Sequence, residues 1–275
     1  MNLYHGDCLE VLPTFPPASV EAIITDLPYG TTACEWDSII PFAPMWKEVK
    51  RVLKPNGAFI TTASQPFTSA LVMSNPSMFK CEWIWNKRIS GNPMIAKYQP
   101  MKIHENIVVF AKGKTTYNPI MWLADVAKRR GNGGKSKLWA GLEVIGEPTK
   151  ERYPVTILDF SNGNRARAEI VNHQTQKPVA LYEYLIKTYT NEGETVLDIA
   201  MGSGTTIEAA ERTGRNSIGI EKDEGIFQSA VLRLKSYTPS NNRMHLTAFG
   251  VESAEVIPLQ SNLFAEVPAA KLGGK

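Results

Sequence analysis

The stretch that decides the fold reads Thr195-Val196-Leu197-Asp198-Ile199-Ala200-Met201-Gly202-Ser203-Gly204-Thr205-Thr206. Its first residues form a short apolar run of the kind found in buried parallel strands. The two glycines then permit a tight turn and a close approach of the backbone to a ligand. A helix is predicted from the threonines onward, because Thr205 or Thr206 can cap it. A strand that passes through a glycine turn into a helix indicates an α/β fold with a ligand site at the turn.

The glycine turn favours a nucleoside-type ligand over a dinucleotide. A dinucleotide fingerprint would have its third glycine at position 207, which is Ile207 in this chain. The next predicted strand ends in Glu221, an acid placed to accept hydrogen bonds from ribose hydroxyls. A turn that binds nothing would explain Gly-x-Gly alone. With the acid at the end of the following strand, a ligand site is the better interpretation.

Strands and helices alternate along most of the chain. In the first half, strands are predicted over 20–25, 58–62, 82–86 and 106–111, with a helix over 42–53 that Pro55-Asn56-Gly57 ends. In the second half, helices are predicted over 179–189, 205–213 and 226–234, and strands over 195–199 and 217–220. This alternation predicts a mostly parallel sheet with helices on both faces.

The alternation fades between residues 113 and 170, and this sets the predicted domain organisation. Residues 1–112 and 171–238 form one α/β domain, 113–170 form an insertion with small elements of its own, and 239–275 form a tail. Residues 113–170 contain ten bases against six acids, whereas the whole chain has a net charge of only +3. The basic balance is therefore local to the insertion.

The composition narrows the class of protein. Hydrophobic residues make up 43% and charged residues 21% of the chain, which is ordinary for a globular protein. Three cysteines without a Cys-x-x-Cys pair argue against a disulfide framework and a structural zinc site, so no metal is expected. Neither a signal peptide nor a membrane-length apolar run is predicted. We expect a cytoplasmic protein with no membrane partner.

A second loop, Asp26-Leu27-Pro28-Tyr29, follows the strand predicted over 20–25 and therefore faces the same ligand edge. An exocyclic base amine is a poor nucleophile because its lone pair is conjugated into the ring. If the Asp26 carboxylate and the Leu27 carbonyl each accept one amine hydrogen, the lone pair is directed at a methyl donor. Pro28 stiffens the loop, and Tyr29 would stack on a base flipped out of the duplex. An ordinary turn explains this tetrapeptide alone, but beside the glycine loop it indicates amine methylation.

Together the two loops resemble the beta class of DNA amino-methyltransferases, in which the catalytic tetrapeptide precedes the glycine loop and a target-recognition region lies between them. The resemblance covers roughly residues 2–235. It implies a Rossmann-like, seven-stranded, mostly parallel sheet, the class I methyltransferase fold circularly permuted to begin near its third strand. It also implies S-adenosylmethionine as cofactor and Asp26, Leu27, Pro28 and Tyr29 as the catalytic residues.

The resemblance assigns cofactor-binding roles residue by residue. Asp7, in Gly6-Asp7-Cys8-Leu9, would meet the cofactor adenine, and Glu221 would bind the ribose. Thr175 and Lys177, in the run from His173 to Pro178, would contact the methionine end. The glycine loop would supply Asp198, Gly202, Ser203, Gly204, Thr205 and Thr206.

The partner that the resemblance implies is double-stranded DNA. The basic residues of the insertion suit its phosphate backbone, although a solvated surface also explains them. They are Lys128, Arg129, Arg130, Lys135 and Lys137. The resemblance leaves open a cognate restriction endonuclease as a further partner and a homodimer as the assembly.

The chain departs from the family pattern at two positions. Family members usually have Pro at position 27 and Asp-Pro-Phe at 198–200, where this chain has Leu27 and Asp198-Ile199-Ala200. Asp at the first tetrapeptide position is typical of adenine N6 enzymes and Ser of cytosine N4 enzymes, so adenine is favoured. The alternatives are cytosine N4 methylation, an RNA or protein amine as substrate, DNA binding without turnover, and a nucleotide-dependent oxidoreductase, which Ile207 disfavours.

Overall fold

The computed structural model of the chain describes residues 1–31, 37–91, 93–128, 148–161, 176–235 and 245–248. Its strands are β1 (Asn2–His5), β2 (Val20–Asp26), β3 (Leu53–Ala63), β4 (Phe79–Asn86), β5 (His104–Ala111), β6 (Trp122–Lys128), β7 (Thr149–Arg152), β8 (Ile157–Asp159), β9 (Thr195–Asp198), β10 (Asn216–Glu221) and β11 (His245–Ala248). Its α-helices are α1 (Cys8–Val11), α2 (Phe42–Val52), α3 (Phe67–Ser74), α4 (Val179–Tyr189), α5 (Thr205–Arg212) and α6 (Glu224–Lys235). Within those ranges, no helix has the length and apolar character needed to span a membrane.

Nine of the strands form one sheet in the order β11-β1-β10-β9-β2-β3-β5-β4-β8. β5 runs antiparallel to both of its neighbours, β3 and β4, and the other pairs are parallel. The predicted α/β class with a mostly parallel sheet is therefore confirmed. The seven strands from β1 to β4 in this order make up the predicted sheet, and β11 and β8 extend it by one strand at each edge.

Helices cover both faces of the sheet. Side chains on both sides of its central strands are therefore buried. Ile23 and Phe59 pack into one core with residues of α1, α2 and α3. Ile24 and Ile60, one position further along β2 and β3, pack into a second core with residues of α4 and α5. A third, smaller core joins β1 to α5 and α6. The continuous apolar runs of the sequence thus correspond to strands enclosed between two layers of helices.

The helix predicted over 42–53 is confirmed as α2, but Pro55-Asn56-Gly57, which were predicted to end it, lie inside β3. β3 begins directly after α2, and its pairing with β2 shifts from Val20–Leu53 to Ala22–Ala58. The extra residues form an irregularity of the ladder, a place in a strand where proline is commonly found. The sequence patterns also do not predict β1 or α3.

The region predicted as an insertion divides into two parts. β6 and β7 pair antiparallel in a small separate sheet, whereas β8 pairs with β4 in the main sheet. Before β6, Asn118 donates hydrogen bonds to the carbonyls of Lys187 and Thr190, which tie this segment to the end of α4. In the predicted tail, β11 pairs with β1 and extends the main sheet.

Candidate active site

A cavity of about 730 Å³ lies at the carboxyl ends of the parallel strands, where the loops after β1, β2, β9 and β10 meet. Its volume is in the range of small-molecule sites. The predicted site residues in its wall are Asp7, Asp26, Leu27, Pro28, Tyr29, Lys177, Asp198, Gly202, Ser203, Thr205, Thr206 and Glu221. Gly204 is not part of the wall. Thr175, Arg129, Arg130, Lys135, Lys137 and the Lys128 side chain lie outside what the structure describes.

Gly202 and Gly204 both have positive φ angles, of 50° and 79°, but their surroundings differ. A Cβ atom on Gly204 would lie 2.9 Å from Cδ1 of Leu234, so a glycine is needed here for α6 to pack. A Cβ atom on Gly202 would meet no protein atom within 4 Å, and this residue borders the cavity. Gly202 therefore gives a ligand close access to the backbone, whereas Gly204 serves the fold.

The Asp198 carboxylate is buried beneath the glycine loop, with only 2% of the residue exposed. Its Oδ1 accepts hydrogen bonds from Thr25 Oγ1 at 2.7 Å and from the Ala200 amide at 3.1 Å. Its Oδ2 accepts one from Thr206 Oγ1 at 2.5 Å. Burial raises the pKa of Asp198 to about 7, although these bonds favour the ionised form. Asp198 thus holds β2, the glycine loop and α5 together.

The start of α5 differs from the prediction that a threonine caps it. The helix begins at Thr205 with Gly204 at its N-cap, and no side chain caps it. Thr206 donates its hydroxyl hydrogen to Asp198 instead. The tertiary contact therefore takes the hydroxyl that the local sequence pattern assigns to capping.

Glu221 ends β10 and orders two loops at the cavity. Its Oε2 accepts from the Gly202 amide and its Oε1 from the Asp223 amide, each at 2.9 Å. Burial raises the pKa of Glu221. Each oxygen of this carboxylate can accept a further hydrogen bond, which suits the hydroxyl groups of a sugar.

Asp7 follows β1 and caps α1 by accepting a hydrogen bond from the Leu9 amide at 2.9 Å. Its other oxygen lies 2.9 Å from Nζ of Lys222, an exposed residue that the sequence analysis did not identify. Burial would raise the pKa of Asp7, but the Leu9 amide and Lys222 outweigh it, so the pKa is lowered. Asp7 is therefore an ionised acceptor at the cavity wall.

The Asp26 carboxylate ends β2 and is 31% exposed. Its Oδ1 accepts hydrogen bonds from the hydroxyls of Tyr29, at 3.0 Å, and Thr62. Its Oδ2 accepts one from Lys177 Nζ at 2.5 Å. A carboxylate has about four acceptor sites. The described residues fill three of them and leave one on Oδ2 for a ligand.

Lys177 is held between two carboxylates and is 13% exposed. Its Nζ lies 2.5 Å from Asp26 Oδ2 and 3.7 Å from Glu105 Oε2. Burial alone would lower the pKa of Lys177, but the two carboxylates outweigh it and the pKa is raised, so the ammonium stays charged. The structure therefore places Lys177 against the Asp26 loop, whereas the resemblance assigns it to the methionine end of a cofactor.

The tetrapeptide loop is fixed by two side chains. Tyr29 packs its ring 5.3 Å from the ring of Phe67. Asp37, buried at 7% exposure, accepts hydrogen bonds from the amides of Gly30 and Thr31, each at 2.9 Å. Sequence reasoning missed Asp37, because no spacing rule distinguishes this acid from one at the surface. Leu27 is buried in the core, so its difference from the family's proline affects packing.

The cavity also contains features that bear on its chemistry. Its wall includes Tyr182 of α4, which sequence reasoning placed only as a helical residue. Ala200, at the position where the family has an aromatic residue, lines the cavity beside the apolar side chains of Ile199 and Met201. Among the described residues, no cluster of His, Cys, Asp and Glu side chains could hold a metal ion. The arrangement offers acceptors, an apolar wall and one ammonium to a nucleoside-like ligand.

A family model described as a DNA methylase matches residues 20–232, a range that includes both loops. The chain belongs to the DNA methylase family. This DNA methylase is 29% identical over 255 residues to the type II methyltransferase M.HpaI of Haemophilus parainfluenzae, covering 86% of the chain and 74% of that relative. It is 28% identical over 253 residues to the DNA adenine methyltransferase YhdJ of Escherichia coli (strain K12), with 85% and 82% covered.

Solved structures agree with the fold of this DNA methylase. The crystal structure of an M1.HpyAVI–SAM complex matches with a TM-score of 0.57 and 26% identity, over 85% of this chain and 100% of that chain. The cytosine-N4-specific PvuII DNA methyltransferase matches with a TM-score of 0.61 and 20% identity, over 87% of each chain. The predicted family and fold are confirmed.

Proposed function

We propose that this protein methylates the N6 amine of adenine in double-stranded DNA, with S-adenosylmethionine as the methyl donor. The observation that carries the proposal is that Asp26, with one free acceptor site, and the glycine loop line the same cavity. Asp at this position, where cytosine N4 enzymes of the class typically have Ser, supports adenine as the target. The relative YhdJ, named a DNA adenine methyltransferase, supports the same base.

The residues of the cavity fit S-adenosylmethionine. Asp7 and Glu221 offer carboxylate oxygens for the adenine amine and the ribose hydroxyls. Gly202 borders space that a Cβ atom would fill, so the backbone there can approach the methionine part, with Ser203 and Thr205 beside it. When bound, this cofactor supplies a methyl group on a positively charged sulfur, which is a good leaving group.

The Asp26 loop prepares the target nitrogen for attack. Oδ2 of Asp26 accepts one amine hydrogen at the site that Lys177 leaves open, and the Leu27 carbonyl accepts the other. With both hydrogens accepted, the nitrogen lone pair would be free to bond to the methyl group that the cofactor would supply, and the sulfur would leave with the electrons of the methyl–sulfur bond. The proton that the amine loses passes to Asp26 and then to water. Catalysis rests on positioning and charge stabilisation.

Tyr29 links binding of the base to the carboxylate. Its hydroxyl donates to Asp26 Oδ1, so its ring and the carboxylate keep a fixed relation. A flipped-out adenine that stacks on this ring is brought beside the acceptor site. Burial, followed by the charges of Asp26 and Glu105, raises the pKa of Tyr29 well above its usual value, so the phenol stays neutral and donates its hydrogen.

The test is a methylation assay with purified protein, labelled S-adenosylmethionine and unmethylated genomic DNA, followed by digestion to nucleosides and mass spectrometry. We expect N6-methyladenine, and none with the Asp26→Ala variant as control. N4-methylcytosine would keep the fold and mechanism but overturn the target base. Methyl transfer to RNA and not to DNA would overturn the substrate.

We infer that residues 113–170 select the DNA site and that their basic residues contact the phosphate backbone. The inference is supported by the local excess of bases, which includes Lys128, Arg129, Arg130, Lys135 and Lys137. Deleting Lys128–Arg130 should weaken DNA binding and reduce the slope of log affinity against log salt by about 3. An unchanged slope, measured by fluorescence anisotropy, would exclude these three residues from the interface.

We propose further that the protein acts in the cytoplasm beside a cognate restriction endonuclease. The names of several relatives as type II methyltransferases support this proposal. DNA modified by the protein should then resist one sequence-specific endonuclease of the same cell. We also propose a homodimer, which sedimentation velocity at micromolar concentration would detect; a single monomeric species would contradict it.

A further inference from the structure

The hydroxyl of Tyr182 is buried at the cavity wall without a partner. Tyr182 lies on α4, lines the cavity, and is only 2% exposed. Its Oη has no hydrogen-bond partner among the described residues. Leaving a buried polar atom unsatisfied destabilises the folded state, and native proteins rarely leave such atoms unpaired. This hydroxyl is therefore an indication of a ligand group that completes its hydrogen bonding.

The surroundings of the hydroxyl favour a positively charged ligand group. Burial, followed by the charges of Asp26 and Asp198, raises the pKa of Tyr182 well above its usual value, so the phenol stays neutral. Thr62 lies beside it and donates its own hydroxyl hydrogen to Asp26. Asp26 and Glu105 both act on this hydroxyl and share the ammonium of Lys177, so the charge near Oη stays negative even where Asp198 is protonated. A negative potential favours a cation over an anion.

The position of Tyr182 relates it to both loops. Asp26 ends β2 and Asp198 ends β9, and these two strands are paired neighbours in the sheet. Tyr182 lines the cavity together with both aspartates, at the edge where the Asp26 loop meets the glycine loop. In the proposed function this is where the target amine and the methionine part of the cofactor come together.

We propose that Tyr182 is a binding residue for the cationic part of S-adenosylmethionine, either its sulfonium or its α-ammonium group. The proposal rests on the proposed function for the identity of the cofactor. The hydroxyl oxygen accepts a hydrogen bond from an ammonium N–H or from the polarised C–H groups next to a sulfonium. This contact gives the buried hydroxyl the partner that the protein does not provide.

The same helix offers a matched control. Tyr189 is also buried on α4, but its hydroxyl accepts a hydrogen bond from Trp83 Nε1 at 2.9 Å, and it is not part of the cavity wall. Replacing either tyrosine by phenylalanine removes one hydroxyl and little volume. Tyr182→Phe should reduce the affinity for S-adenosylmethionine about tenfold in calorimetry, with an unchanged or higher Tm. Tyr189→Phe should lower the Tm and leave the affinity unchanged.

Two cofactor analogues identify the group that is bound. 5′-Methylthioadenosine has neither cation, so Tyr182→Phe should not change its affinity. S-Adenosylhomocysteine keeps the ammonium but has a neutral sulfur. If Tyr182→Phe loses affinity equally for S-adenosylhomocysteine and S-adenosylmethionine, the hydroxyl binds the ammonium. If it loses affinity for S-adenosylmethionine alone, the hydroxyl binds the sulfonium.

The proposal is overturned if Tyr182→Phe binds S-adenosylmethionine with the affinity of the wild type. It is also overturned if the variant loses as much affinity for 5′-methylthioadenosine as for S-adenosylmethionine. Failure of the proposed function is a separate result, because it is seen in the wild-type methylation assay. A wild-type protein that binds the cofactor but methylates no DNA would leave the Tyr182 comparison valid. A wild type that does not bind S-adenosylmethionine would overturn both.

Discussion

Asp26 and Asp198 end neighbouring strands of the same sheet, yet their surroundings differ. Asp26 is 31% exposed, is paired with the Lys177 ammonium and has one acceptor site free among the described residues. Asp198 is 2% exposed, and its hydrogen-bond partners are two threonine hydroxyls and a backbone amide, all neutral. Burial accordingly raises the pKa of Asp198 to about 7. One carboxylate is prepared for a ligand and the other is used to hold the loop.

This difference teaches that position in the fold does not assign a role by itself. Both aspartates lie at the carboxyl ends of strands, where ligands of α/β proteins bind. Their roles follow from their partners, which belong to other segments. Lys177, just before α4, donates to Asp26, and Thr206 of α5 donates to Asp198. The resemblance groups Asp198 with the cofactor contacts, and the structure places it both in the cavity wall and beneath the glycine loop that it holds.

The largest effect should come from removing the ligand-directed carboxylate. Asp26→Ala should lower methylation at least about 10³-fold, because the amine loses its hydrogen-bond acceptor. The affinity for S-adenosylmethionine, measured by calorimetry, should remain nearly intact. Substantial residual turnover in this variant would contradict the catalytic role of Asp26.

The buried Asp198 carboxylate should make the free energy of unfolding depend on pH. Between about pH 4 and pH 7 the folded protein holds a proton on Asp198 that the unfolded chain, at the ordinary value of 3.8, has lost. The free energy of unfolding should therefore fall as pH rises through this window, by up to about 4 kcal/mol from this group. Urea unfolding at pH 4.5 and 7.5 measures the change, and Asp198→Asn should show a smaller fall. If the free energy of unfolding falls equally in the wild type and in Asp198→Asn, the proton is held by a group other than Asp198.

Gly204 and Gly202 should differ in role as Asp198 and Asp26 do, one acting on stability and the other on ligand binding. Gly204→Ala should destabilise the protein by about 1–2 kcal/mol, because the residue has a positive φ and its Cβ would meet Leu234. Gly202→Ala, whose Cβ meets open space, should be the milder change in Tm but the stronger in cofactor affinity. Thermal unfolding and calorimetry on both variants test this. A larger loss of Tm in Gly202→Ala and a larger loss of affinity in Gly204→Ala would contradict the two roles.

The smallest effect should come from the cation that holds Asp26. Lys177→Gln should lower the methylation rate about tenfold, since the carboxylate loses the partner that fixes Oδ2. Lys102→Gln is the control, because Lys102 donates to Ser64 outside the cavity wall. If both variants lose activity equally, the effect of Lys177 is not a property of the Asp26 loop.

Much of the fold follows from local patterns in the sequence. The apolar run of β2, the helical spacing of α2 and the glycine turn before α5 depend on near neighbours and are predicted to within a few residues. α3 is not, because Phe67–Ser74 has few polar residues and shows no helical period. β1 is only four residues long, too short for a recognisable pattern.

The candidate site is predictable only in part for a related reason. Glycines and an acid at the end of a strand carry a local signature, so both loops are found from the sequence. Asp37 accepts from amides only six and seven positions away, but no spacing rule distinguishes it from a surface acid. Tyr182 reaches the cavity because α4 packs on the sheet, and nothing near it in the chain marks it. The pairing of Lys177 with Asp26 joins residues 151 positions apart, beyond the reach of any local rule.

The placement of β1 inside the sheet has a consequence for biosynthesis. Its two neighbours are β10 and β11, and the contact between Asp7 and Lys222 spans 215 positions of sequence. A ribosome that makes this chain must synthesise all of the sequence between β1 and β10 before the first pairing strand of β1 emerges. Such long-range closure is slow and leaves an unpaired strand edge open to aggregation or chaperones. The nucleoside end of the cavity is therefore completed late, and incomplete nascent chains should be unable to modify DNA.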